Sequence, residues 1–250
     1  MVKSVLDSFL HKLQMRRWRK AGDSVTVLSL PVLHELRRLA ATERQRIDRF
    51  TGLAAARLDA AQRPASVPQA PAGSDWVHRP DLWSGPVWPQ GVVNPADRFH
   101  LGRDAKLFHD AKTFDLCLRQ VPGLARAPYG LVLEVFGFDG SFLSLVVDCP
   151  PESVQGLKRR HIVQVDARVE AEAPQAGFMR LNILHGPNVE QITRDLPEGP
   201  DMTVEFDLAY HELNEKRIDS MWLDVILDRP RMNRVILADL VLSRRPRAEF

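Results

Sequence analysis

HIVQVDARV, residues 161–169, is the stretch that decides the fold. Val163, Val165, Ala167 and Val169 alternate with Gln164, Asp166 and Arg168. In an extended chain successive side chains point to opposite faces, so this period of two predicts a half-buried β-strand. The same alternation runs through Met179, Leu181 and Ile183 against Arg180 and Asn182, and through Val204, Phe206 and Leu208 against Glu205 and Asp207. Further strands are expected at 113–119, 129–138, 142–148, 188–196, 221–227 and 234–243. Turn chemistry falls between them: Asp139-Gly140 for a tight hairpin, Pro150-Pro151, His185-Gly186-Pro187-Asn188, Glu198-Gly199-Pro200 and Arg229-Pro230. No helical pattern of crossover length separates these runs, which excludes a parallel α/β sheet and points to two packed antiparallel sheets. The expected fold is mainly β, an antiparallel β-sandwich of jelly-roll type over 76–250.

Upstream the period changes. Residues 1–62 read as a basic helical arm and 63–75 as a linker, the latter carried by RPASVPQAPAGS. Val5, Leu6, Phe9, Leu10, Leu13 and Trp18 are spaced as one side of a helix ending near Gly22-Asp23. Pro31 suits the first turn of a second helix running to about Gln62. Its seam of Leu33, Leu36, Ala40, Ile47, Phe50 and Ala54 is broken by Glu43, and either self-association or packing on the rest of the protein would bury it. The arm holds twelve Lys/Arg against six Asp/Glu, a net of +6, which leaves −4 for the remainder of a chain whose net charge is +2. A basic arm on an acidic body points to an anionic surface as the arm's partner.

The chain has 250 residues, 44% of them hydrophobic and 26% charged, which is ordinary globular composition. No run reaches the roughly 18 apolar residues of a spanning helix. The first twenty residues lack a secretory h-region, and Cys117 and Cys149 form neither CxxC nor a Cys/His cluster. These features place the protein in the cytoplasm, peripheral to the inner membrane face if the arm binds lipid. A disulfide between the two cysteines stays open at this point.

Several groups carry possible chemistry. Trp222 and Asp224 share one strand face, and if that face aligns with Arg180 and Asn182 it sets an aromatic ring beside a carboxylate and a guanidinium, an arrangement suited to a saccharide. His185 and Asn188 flank the neighbouring turn and offer neutral hydrogen-bonding groups, although Asn188 can equally brace its own turn. Trp76, Trp83 and Trp88 either present rings to a ligand or plug an end of the sandwich. His109 and Asp110 are adjacent and point apart in an extended chain, so they form no dyad. Ser141 and Ser144 lack a G-x-S-x-G elbow. A hydrolase or lyase would need carboxylates such as Glu134, Asp139 and Asp224 to converge. Asn214-Glu215-Lys216-Arg217 reads as a solvated loop. The eight histidines show no metal spacing, so no metal or cofactor is expected beyond a structural calcium held by loop oxygens.

The segment from Trp76 through FHLGRDAKLFHDAK, FGFDGSFLSLVVD, LNILHGPN, FDLAYHELNEKR and SRRPRAEF resembles an uncharacterised bacterial family, a domain of unknown function. That resemblance implies no activity and no functional residues. At the level of fold, the strand succession ending in MWLDVILDRPRMNRVILADLVLS is similar to the galactose-binding-type jelly roll, which implies ligand binding rather than catalysis.

Two functions are expected to compete. One is a non-catalytic module for a carbohydrate or similar polar ligand, with Arg180, Asn182, His185, Asn188, Trp222 and Asp224 as its site. The other is a membrane-surface or protein-assembly module tethered by the amphipathic arm, with Lys12, Arg16, Arg17, Trp18, Arg19 and Lys20 on an anionic membrane or protein partner and a homo-oligomer formed through the helix. An acidic body without a binding motif argues against nucleic acid.

Overall fold

The structure, a computed structural model, describes residues 2–62, 68–123 and 126–247. The chain divides into two compact units, Met1–Thr51 and Gly52–Phe250. Helix α1 (Val2–Asp23) and the first part of α2 (Leu30–Gln62) make the first unit, and Pro31 occupies the first turn of α2 as expected. The first five residues of the linker motif, 63–67, lie outside the described residues, as do the side chains of Val5, Leu6, Phe9 and Leu10. Among the described residues no helix is long and apolar enough to cross a membrane.

Among the described residues the second unit holds, after the end of α2, thirteen strands and a short helix: β1 (Trp76–His78), α3 (Asp81–Ser84), β2 (Gly91–Val93), β3 (Arg98–Leu101), β4 (Ala105–His109), β5 (Phe114–Pro122), β6 (Tyr129–Phe138), β7 (Phe142–Asp148), β8 (His161–Ala171), β9 (Gly177–His185), β10 (Asn188–Asp195), β11 (Asp201–Asp207), β12 (Ile218–Asp228) and β13 (Asn233–Pro246). All nine expected strands form. They build an antiparallel β-sandwich of jelly-roll type, one sheet ordered β11-β8-β13-β6-β5-β2 with β1 added to β13, the other β10-β9-β12-β7-β4-β3. Strand β1 can join because β6 pairs only Asn233–Leu237 of the long β13, leaving Leu242–Arg244 free for Trp76–His78.

The alternation read in the sequence is the inside and outside of this sandwich. Val163 and Val165 of β8, Met179, Leu181 and Ile183 of β9, and Leu223 and Val225 of β12 are each at most 1% exposed and meet between the sheets. Burying side chains of this size contributes about 1.5–3 kcal/mol apiece. In β13 the phase changes at a bulge between Leu237 and Asp239: Val235 and Leu237 face the core before it, Leu240 and Leu242 after it. The extra residue turns Asp239 outward, where its carboxylate takes two hydrogen bonds from the buried Arg79 guanidinium at 2.9 and 3.1 Å.

Two expectations need correction. Asp139-Gly140 does not close a hairpin, because β6 pairs β5 and β13 while β7 pairs β4 and β12. The turn instead carries the chain from one sheet to the other. The tryptophan segment divides too: Trp83 is wholly buried and donates Nε1–H to the Leu237 carbonyl at 2.9 Å, so it is part of the core. The surrounding strap is held by Gln120, whose Nε2 donates to the Leu82 and Gly85 carbonyls and whose Oε1 accepts from the Val87 amide. Trp76 stacks on His78 with centroids 5.9 Å apart.

Candidate functional site

The outer face of the six-stranded sheet carries the site. Strand register fixes it: Asp224 of β12 stands opposite Arg180 of β9 on one side and Val146 of β7 on the other, and Val146 stands opposite Lys106 of β4. One row of side chains, Arg180, Asp224, Val146 and Lys106, therefore crosses four strands. The neighbouring row holds Asn182, Trp222 and Asp148, and the row on the other side holds Phe178, Ile226, Ser144 and Phe108. A groove of about 530 Å³ lies over these rows, lined by all of the residues named except Asn182 and Phe178, within the range of about 300–1,000 Å³ usual for ligand sites.

The polar groups are held in fixed positions. Arg180 donates to Asp224 Oδ2 through Nε at 2.9 Å and approaches it through Nη2 at 2.7 Å. Asn182 Nδ2 donates to the same oxygen at 3.0 Å, and Gln191 Nε2 of β10 donates to Asn182 Oδ1 at 3.0 Å. Lys106 Nζ lies 2.5 Å from Asp148 Oδ2. Asp224 is only 3% exposed, yet its Oδ1 has no hydrogen-bond partner among the described residues. A buried carboxylate oxygen without a donor costs stability unless something supplies one. Trp222, half-buried, lines the groove beside it.

The structure thus brings together Arg180, Asn182, Trp222 and Asp224. Asn182 differs from its expected role: it is 1% exposed rather than projecting into solvent, and its amide is spent holding Asp224. His185 and Asn188 are not brought in. They pair across the β9–β10 turn on the opposite parity from Arg180 and Asn182, His185 being buried with its Nδ1 accepting from the Asn214 amide at 3.3 Å. Gly186 takes φ +60 at the first position of that two-residue turn, a conformation suited to glycine. Lys106, Phe108, Phe142, Ser144 and Asp148 line the groove without having been singled out for it. The signal for β7 was present in the alternation of Phe142, Ser144, Val146 and Asp148 with Leu143, Leu145 and Val147.

The three carboxylates that a hydrolase would need are apart. Glu134 lies on β6 in the other sheet beside Arg119, and Asp139 accepts from the Lys112 and Thr113 amides. Only Asp224 faces the groove. Among the described residues no three His, Cys, Asp or Glu side chains gather as a metal set. Cys117 and Cys149 are free thiols, and burial pushes Cys149 well above the ordinary thiol range.

A model of a family of unknown function, DUF6478, matches residues 1–250. The chain belongs to this family. No curated protein sequence matches it. Among solved structures this DUF6478 chain is similar to the family 11 carbohydrate-binding module of the cellulosomal cellulase Lic26A-Cel5E of Clostridium thermocellum, at 15% identity over 64% of this chain and 97% of that one, TM-score 0.35. It is similar to the CBM22-1 xylan-binding domain of Paenibacillus barcinonensis Xyn10C, at 8% identity over 72% and 100%, TM-score 0.37. It also resembles the enzymatically active domain of tailspike protein 4 of bacteriophage CBA120, at 12% identity, covering 55% of this chain and 19% of that one, TM-score 0.38. Likenesses this remote transfer neither ligand nor activity to the DUF6478 chain.

The arm of this DUF6478 chain is helical, and Lys12, Arg16, Arg17, Arg19 and Lys20 are exposed with Trp18 half-buried. Its faces are less separated than the spacing implied. Arg16 and Arg17 follow Leu13 by three and four residues, which puts them on the same side of the helix. In α2, Ile47 and Phe50 of the expected seam are 61% and 73% exposed.

Proposed function

We propose that the protein is a non-catalytic binding module for a carbohydrate or similar polyhydroxylated ligand, held on the outer face of its six-stranded sheet. The observation that carries this reading is the unpartnered Oδ1 of the buried Asp224, set in a groove between Trp222 and Arg180. A ligand hydroxyl supplies the missing donor there. Arg180, whose side chain is about one-third exposed, keeps guanidinium N–H groups for the ligand's oxygens. Trp222 offers an apolar ring face against which the C–H side of a sugar can rest. Asn182 and Gln191 do not need to touch the ligand, because they hold Asp224 in position.

Intrinsic tryptophan fluorescence and calorimetry against a saccharide array test this reading. Saccharide-dependent quenching is expected, and Trp222→Ala should weaken binding by about tenfold or more, the loss of one well-packed aromatic contact. An array with no response from the folded wild-type chain sinks the reading.

A further inference from the structure

We infer that the groove is built for a neutral oligosaccharide several units long, lying diagonally over the sheet, rather than for a single sugar or an acidic one. This rests on the reading of the groove as a saccharide site and specifies its ligand.

Charge comes first. The groove contains two cations and two carboxylates, and each cation already faces a carboxylate: Arg180 lies 2.7 Å from Asp224, and Lys106 lies 2.5 Å from Asp148. An anionic ligand would meet Asp224 Oδ1 and Asp148 as like charges, and a cationic one would meet Arg180 and Lys106. A neutral hydroxyl both donates and accepts, so it can give its proton to Asp224 Oδ1 while accepting from the guanidinium beside it.

Extent comes second. Neighbouring strands stand about 4.8 Å apart, so the row from Arg180 to Lys106 spans about 14 Å. Trp222 and Phe108 are both on the groove wall, separated by two strand spacings and, through the Asp224 and Ile226 rows, by four residues along the strands. That separation is about 16 Å in the plane of the sheet. One pyranose ring cannot reach both aromatic side chains, whereas a short chain can. Lys106 and Asp148 form a second pair of fixed donor and acceptor on the β4 and β7 side of the groove, beyond the Arg180–Asp224 pair, so polar groups are spread over more than one sugar's width. Arg98 lies 6.0 Å from the Phe108 ring centroid, which covers part of one side of that ring and leaves the groove side as its other contact.

The experiment is calorimetry on the full chain with matched series: glucose, xylose and galactose, their neutral β-1,4-linked di-, tri- and tetrasaccharides, maltotetraose, and tetragalacturonate as the acidic member. The expected result is an affinity at least about tenfold higher for a neutral tri- or tetrasaccharide than for its monosaccharide, with tetragalacturonate weaker than the neutral chains. Phe108→Ala should remove most of the gain with length, and Phe108→Leu serves the same purpose should the alanine variant melt early. A monosaccharide that binds as tightly as its tetramer, preferential binding of tetragalacturonate, or an unaltered length series in both Phe108 variants overturns this inference while leaving the saccharide reading intact. Silence from every saccharide overturns both.

Discussion

The side chain of Asp224 shows how a residue can be committed to two tasks at once. Its Oδ2 takes donors from Arg180 and Asn182, which fix the carboxylate, and its Oδ1 is left for something else. Asp224→Asn keeps the shape and removes the charge. Hydrogen bonds to a charged group are worth about 1.5–3 kcal/mol against about half that for neutral pairs, so saccharide affinity should fall roughly tenfold or more. Calorimetry beside a thermal melt separates the two effects, and an Asp224→Asn variant with wild-type affinity would remove Oδ1 from the site. The pairing of Trp222 with Asp224, and of Arg180 with Asn182, was legible because each pair sits at i and i+2 in an alternating run. What was not legible was the cross-strand register, which is set by distant turns and bulges. His185 illustrates the gap: three residues beyond Asn182 it has the opposite parity, so sequence proximity placed it with residues from which the pleat separates it.

At the scale of elements, long alternating runs were readable and short strands were not. β8, β9 and β12 are nine to eleven residues long, and each carries a core-facing set at every second position that shows in its sequence. β1, β2 and β3 have three or four residues among prolines and glycines, too few to display a period, and exist because longer partners offer them a free edge. The Asp139-Gly140 turn was correctly placed but wrongly connected, since local turn chemistry does not reveal whether the next strand pairs with the last. Here it does not, and the crossing is held by two aspartates: Asp110 accepts from the Ser141 and Phe142 amides and the Ser141 hydroxyl, while Asp139 accepts from the Lys112 and Thr113 amides. Gly140 makes this close approach possible. A Cβ there would lie 2.4 Å from Asp110 Oδ1 and 2.8 Å from the Ala111 amide nitrogen. Gly140→Ala should therefore cost about 1–3 kcal/mol, by the usual penalty for forcing atoms into filled space. Urea unfolding checks it, and an unchanged midpoint would mean that the crossing has room to yield.

At the scale of the whole molecule, one cluster around the buried Arg244 and His161 joins residues far apart in the chain. Arg244 of β13 donates from Nε to Asp75 Oδ1 at 2.8 Å and from Nη1 to the Ser153 and Gln155 carbonyls at 2.8 and 3.0 Å. His161, at the start of β8 and 2% exposed, completes it. Its Nδ1 lies 2.9 Å from the Lys158 amide nitrogen and 3.1 Å from the Lys158 carbonyl oxygen, and its Nε2 lies 3.4 Å from Asp75 Oδ2. Burial holds His161 below the ordinary histidine range, outweighing the raising influence of the Lys158 backbone and Asp75, and burial does the same for His78. Burial works to raise Asp75 as well, but the hydrogen bond and charge of Arg244, with His161, outweigh it and hold the carboxyl below its ordinary value. The signs follow. A histidine whose folded pKa is depressed binds its proton more readily when unfolded, so stability should decline as pH falls below about 6.5, the unfolded value. Asp75 contributes stability above its unfolded value of about 3.9 and loses it as pH falls through the lower folded value. Asp104 has the opposite sign: burial raises its folded pKa, so its contribution is lost as pH rises from about 3.9 through that raised value, and Asp104→Asn removes it from the comparison. Urea midpoints measured from pH 7.5 to 5.5 should therefore fall with pH, and His161→Gln should flatten part of that slope while lowering stability at pH 7.5. A midpoint independent of pH over this interval, in the wild-type chain, would mean that His161 and His78 titrate alike in the folded and unfolded states, and that the cluster closes the sandwich through Arg244 and Asp75 alone.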